Sequence, residues 1–119
     1  MNYPWRKLKD LELEILSQSD AAVSKRRIKL LRSLVEECQG APDAEASICY
    51  HGALALIYEA EGSLEQAIRH REEEIAKISR LHELELQNPT GAYGLQNYGE
   101  KDLEDRKRRL MALYARKKT

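Results

Sequence analysis

An all-α fold of about five antiparallel helices is what this 119-residue chain predicts, and three observations carry that expectation. Apolar residues recur at three- and four-residue spacing through most of its length. The composition leans toward Ala, Leu, Glu, Lys and Arg, which lose little on entering a helix. Gly, Pro, Asn, Asp and Ser gather at a few points between the periodic runs, and no segment reads as a strand.

The first helix is expected over about residues 4–17. Pro4 stands at an early helical position, and Trp5, Leu8, Leu11, Ile15 and Leu16 form the apolar face. "SQSD" then punctuates the chain, with Asp20 as a cap for a second helix over about 21–39, whose stripe is Val23, Leu30, Leu31, Leu34, Val35 and Cys38. "GAPDAEA" turns into a third helix capped by Asp43, with Ile48, Cys49, Ala55, Ile57 and Tyr58 as candidates for burial. Gly62 ends that helix and Ser63 caps the next, with Gln66 in the capping-box position, so a tight turn folds the two antiparallel.

The fourth helix, about 64–87, carries Leu64, Ile68, Ile75, Ile78 and His82 in a stripe interrupted by Arg71, and Asn88-Pro89 stops it. Residues 88–99, "NPTGAYGLQNYG", form the one long irregular stretch. The last helix, about 100–117, runs from acidic to basic, as the helix dipole favours. The whole is expected to be a single domain, residues 1–119, with a core of Leu, Ile, Val and Ala, because Phe is absent and Trp5 is the sole tryptophan.

The hairpin about Gly62 resembles a tetratricopeptide repeat. Leu54, Ala55, Tyr58, Gly62 and Ala67 stand at the spacings at which that family sets its small residue, tyrosine, turn glycine and second-helix alanine. Arg71 and Glu74 depart from it, standing where the family has a large aromatic and a small residue. The resemblance implies that Cys49, Gly52, Leu56, Glu59 and Ala60 line a concave, ligand-facing surface; packing of Leu56 and Cys49 in the core is the competing reading.

Charge is balanced overall but uneven. Residues 1–40 carry eight basic and six acidic side chains, 41–99 four and ten, and 100–119 eight and four. Net neutrality argues against bulk attraction to nucleic acid or to an acidic membrane, while the acidic middle could meet the basic end of its own chain or of a second copy. No apolar run reaches the roughly 18 residues of a membrane span, and a soluble, cytoplasmic protein is expected. Cys49 would lie about one turn, roughly 6 Å, from the position opposite Cys38, so free thiols are favoured over a disulfide.

Catalytic and metal-binding patterns are missing. No Glu-x-x-His, His-Glu-x-x-His, Cys-x-x-Cys or phosphate-binding glycine loop occurs, so neither cofactor nor enzyme activity is expected. His70 and Glu74 stand four apart, but "RHREEE" reads more simply as a solvated face, and His82 as a partly buried core histidine. Asp102, Glu104 and Asp105 precede Arg106, Arg108 and Arg109 by one helical turn and are expected to pair with them.

The function expected is that of a non-catalytic protein–protein interaction module, an adaptor or assembly protein that binds a peptide segment and self-associates through the far end of the fourth helix. Leu56, Glu59, Tyr93 and Tyr98 are the candidate contacts. The Tyr93/Tyr98 loop is either a binding element or a cover tying down the last helix. The alternative is nucleic-acid binding through Lys25, Arg26, Arg27 and Lys29, a basic cluster with no acidic residue between Asp20 and Glu36.

Overall fold

The computed structural model describes residues 4–16, 24–38, 44–87 and 98–118. All regular structure among them is helical: α1 (Pro4–Leu16), α2 (Lys25–Cys38), α3 (Ala44–Glu61), α4 (Leu64–Gln87) and α5 (Glu100–Lys117). The helix expected from residue 21 starts four residues later. Ser24 is not helical, and its hydroxyl accepts the Arg27 N–H at 3.3 Å while its carbonyl accepts from Ile28 at 3.1 Å, so it caps α2. Asp20 and Asp43, the caps expected from sequence, lie outside the described residues.

α3 is the central element. Its apolar residues spread round most of its circumference, with Ile48, Cys49, Ala53, Ala55, Leu56 and Ile57 all buried, and it packs on α1, α2 and α4. Leu8, Leu11 and Ile15 of α1 meet Ile28, Leu31, Leu34 and Val35 of α2 and the buried face of α3 in the larger apolar cluster, which also takes in Ile78 and Tyr98. A smaller cluster joins α4 to α5 through Ala67, Ile68 and Leu113, flanked by Tyr58, Leu64, Leu110 and Tyr114. On α2 the inward stripe is set by Ile28, Leu31, Leu34 and Val35, which leaves Leu30 outside it and half exposed.

The turn between α3 and α4 is built as its residues demand. Gly62 sits at φ +80°, the left-handed region, and Ser63 N–H returns to the Tyr58 carbonyl at 2.9 Å. At the start of α5, Asp102 reaches back to accept the Gly99 N–H at 3.0 Å. His82 Nε2 is bonded to the Tyr98 carbonyl at 2.8 Å, so the half-buried histidine of α4 holds the residue that leads into α5.

A side chain at Gly62 would meet no atom within 4 Å, so Gly62→Ala isolates the backbone cost of the turn. We expect chemical denaturation to show a loss of about 1–2 kcal/mol with the helix content unchanged.

Candidate functional site: a buried charge quartet over Gly52

Four fully buried ionic side chains meet between the two apolar clusters: Glu12 of α1, Arg71 and Glu74 of α4, and Arg106 of α5. Arg106 donates from Nε to Glu74 Oε2 at 2.8 Å and from Nη2 to Glu12 Oε1 at 2.9 Å. Arg71 donates from Nη1 to Glu12 Oε2 at 2.9 Å and also to Glu74 Oε1. Each of the four carboxylate oxygens thus accepts from a guanidinium. Charges of this kind are stable away from water only when paired and hydrogen-bonded, and here the pairing is reciprocal across three helices.

The space for the quartet comes from a glycine. A methyl group at Gly52, in the middle of α3, would fall inside the Glu12 carboxylate and against Glu74 Oε2. The missing side chain therefore lets α1 and α4 bring their carboxylates together over the α3 backbone. A glycine within a helix costs about 1 kcal/mol relative to alanine, and this cradle is what offsets it.

Electrostatics divides the two carboxyl groups. Burial pushes Glu12 up to about 8 against the pull of Arg106, and the neighbouring Glu74 adds to the rise. Burial also opposes ionisation of Glu74, but Arg71 and Arg106 more than offset it and hold that group down at about 2. Of the two, Glu74 is held the more firmly as an anion, and Glu12 is the first to take up a proton as pH falls.

Around the quartet, Arg106 Nη1 donates to the Asp102 carbonyl at 2.9 Å, and its guanidinium carbon lies 5.5 Å from the centroid of the Tyr98 ring. Tyr98 is fully buried, and its hydroxyl meets Cys49 Sγ at 2.8 Å. Burial raises both the thiol and the phenol, so neither is an anion at neutral pH and neither is an activated nucleophile. Among the described residues Arg71 Nε and Nη2 have no hydrogen-bond partner, the one open edge of the cluster.

The structure disperses the contacts expected from sequence. Leu56 and Tyr98 are fully buried in the larger apolar cluster and present no surface to a partner. Glu59 is held by Arg109, with Nη2 to Oε2 at 2.5 Å and Nε to Oε1 at 3.2 Å. Tyr93 lies outside the described residues. Of the face implied by the tetratricopeptide resemblance, Cys49, Gly52 and Leu56 are buried, with the Glu12 carboxylate seated on Gly52.

Two expectations about charge are corrected. "RHREEE" is not a uniformly solvated face, because Arg71 and Glu74 point into the quartet while Glu72 and Glu73 are exposed. The arginines of α5 do not follow the expected one-turn pairing either. Arg106 and Arg109 reach Glu12, Glu74 and Glu59 on other helices, where burial strengthens the interaction, and Arg108 takes Asp105 at a spacing of three, 3.2 Å away. The acidic middle does meet the basic end of its own chain, down to Lys117 near Glu65 at 3.6 Å.

Of the basic cluster, Lys25, Arg26 and Lys29 are exposed, whereas Arg27 turns to Glu14 at 2.7 Å. No helix among the described residues is long and apolar enough to cross a membrane, and no three His, Cys, Asp or Glu side chains among them converge as a metal cage. Comparison with known proteins finds no matching family model, curated protein or solved structure.

Two outcomes follow from this geometry. Gly52→Ala should gain helix propensity yet destabilise the fold by about 1–3 kcal/mol, the range for overpacking, as read by urea denaturation. For the pH dependence, Glu74 stabilises above the ordinary carboxylate range and that contribution is lost as pH falls toward about 2, whereas the Glu12 contribution is present at acid pH and lost as pH rises toward about 8. Glu12→Gln, which mimics the protonated carboxyl, should therefore gain stability relative to wild type as pH rises from about 4.3 to about 8, measured by denaturation at matched pH.

Proposed function

We propose that this chain is a non-catalytic interaction module, an adaptor or assembly component, whose contact surface is the outer face of α2. The observation that carries the reading is a strip of three exposed cations, Lys25, Arg26 and Lys29, beside Leu30, which is 50% exposed. The first turn of α2 holds no acidic residue. Cations at the N-terminal end of a helix oppose the macrodipole, so local helix stability does not account for them. An anionic partner does.

The internal chemistry supports the same reading. The carboxylates of the quartet are saturated by arginine, and Cys49 and Tyr98 are protonated and bonded to each other, so these groups serve to lock helices together. The partner class that fits the α2 strip is an acidic protein segment with an apolar side chain to set against Leu30. A second reading, nucleic acid, draws on the three cations alone and leaves Leu30 without a role.

The test is a Lys25→Glu, Arg26→Glu, Lys29→Glu variant. It should lose the partner recovered from nuclease-treated native lysate while keeping its thermal stability, since acidic residues suit a helix N-terminus. Retention of that partner would remove the α2 strip from the proposal. Under the nucleic-acid reading, binding to duplex DNA should fall with salt at a slope near −3 on logarithmic axes, about 0.9 for each of the three cations.

A further inference from the structure

Beside the quartet, the α3–α4 hairpin ties two imidazoles together. His51 Nδ1 of α3 and His70 Nδ1 of α4 face one another at 3.0 Å, the geometry of an N–H···N hydrogen bond. Both residues are half-buried. The His70 ring lies parallel to Tyr58 within 9° at 5.4 Å, and the edge of Tyr50 meets His51 at 5.9 Å, so an aromatic neighbour limits how far each ring can swing. Gly52 and Arg71, the next residues along the two helices, belong to the quartet and its cradle.

The bond tolerates one added proton and not two. With both rings neutral, one Nδ1–H donates to the lone pair of the other Nδ1; the donor ring then has a bare Nε2, and the acceptor ring carries its proton on Nε2. A first added proton goes to the bare Nε2, and the imidazolium so formed keeps the bond and makes it charge-assisted. The nitrogen left for a second proton is the accepting Nδ1 itself, so its uptake sets two N–H groups and two positive rings face to face. We propose that His51 and His70 form an acid-sensitive latch between α3 and α4, closed with up to one added proton and opened by the second.

The surroundings oppose the charged forms. Burial lowers both histidines, with Lys77 adding to the effect at His51, and His51 itself and Arg69 adding to it at His70. Glu73 acts on both rings in the opposite sense, as does Glu74 on His51, and burial decides the direction. Folding therefore favours the neutral rings. Their contribution to stability is full above the unfolded value of about 6.5 and is lost as pH falls through the lower values of the folded pair.

The test is a pH titration of the full chain, labelled with nitrogen-15, by NMR. A scalar coupling between His51 Nδ1 and His70 Nδ1 should be seen at neutral pH, persist through the first protonation of the pair and vanish at the second. Absence of that coupling, or its survival once both rings are charged, would overturn the proposal. Denaturation of a His51→Gln, His70→Gln variant at matched pH gives an independent readout, in which the effects of Glu12, Glu74 and His82 cancel. Relative to that variant, the folding equilibrium constant of the wild type should fall below pH ~6.5 by close to tenfold per pH unit for each proton the folded pair refuses. A difference that stays flat with pH would equally remove the latch.

Discussion

The pairing of Glu12, Arg71, Glu74 and Arg106 out of contact with water is the constraint on which the rest of the structure depends. Removing four charges from water carries a cost of several kcal/mol for each ion. That cost is recovered only if α1, α4 and α5 arrive with the right register, since a shift by one residue on any of them turns its ion out of the cluster. An apolar core tolerates many neighbouring packings, whereas this one penalises each alternative with an unpaired buried charge. The quartet therefore contributes to the uniqueness of the arrangement more than to its net stability.

The same constraint explains two local features that would otherwise look like defects. Gly52 interrupts an otherwise favourable helix because the carboxylates of Glu12 and Glu74 occupy the volume of its side chain. Arg71 interrupts the apolar stripe of α4 between Ile68 and Ile75 because that position faces the cluster and not the lipophilic packing on either side of it. Nearby, Arg106 spans the gap between the two apolar clusters and lies 5.5 Å from the ring centre of Tyr98, so the residue that binds the carboxylates also packs against the buried phenol.

Much of the fold was legible from periodicity and punctuation. The five helices, the Gly62–Ser63 turn and the inward positions Leu8, Leu11, Ile15, Leu31, Leu34, Ile48 and Ile78 are all where the spacing puts them. The quartet escapes any reading of the sequence that equates charge with solvent. Its register was nonetheless visible: Glu12 follows Leu8 by four and precedes Ile15 by three, and Arg71 stands between Ile68 and Ile75 in the same way. A glycine in mid-helix was the remaining signal. Which acid meets which base was beyond reach, since Glu12 and Arg106 are separated by 94 residues and only the tertiary fold joins them. Leu56 is a candidate contact through its place in the tetratricopeptide resemblance and Tyr98 through its residue type and loop, and neither ground tells a core position from an exposed one.

The bond between the first helix and the last also governs how the chain reaches its folded state. Helical hairpins that touch only their sequence neighbours can form one at a time and can be lengthened by adding more. Here Glu12 of α1 closes on Arg106 of α5 across the backbone of α3, so a chain lacking either end would bury an ion with half its partners missing. The α3–α4 hairpin is joined by local contacts, but its polar centre is complete only when two distant segments converge on it. For an all-helical chain that is a non-local link, and it makes the molecule a closed ring of dependencies in which neither end is dispensable to the centre.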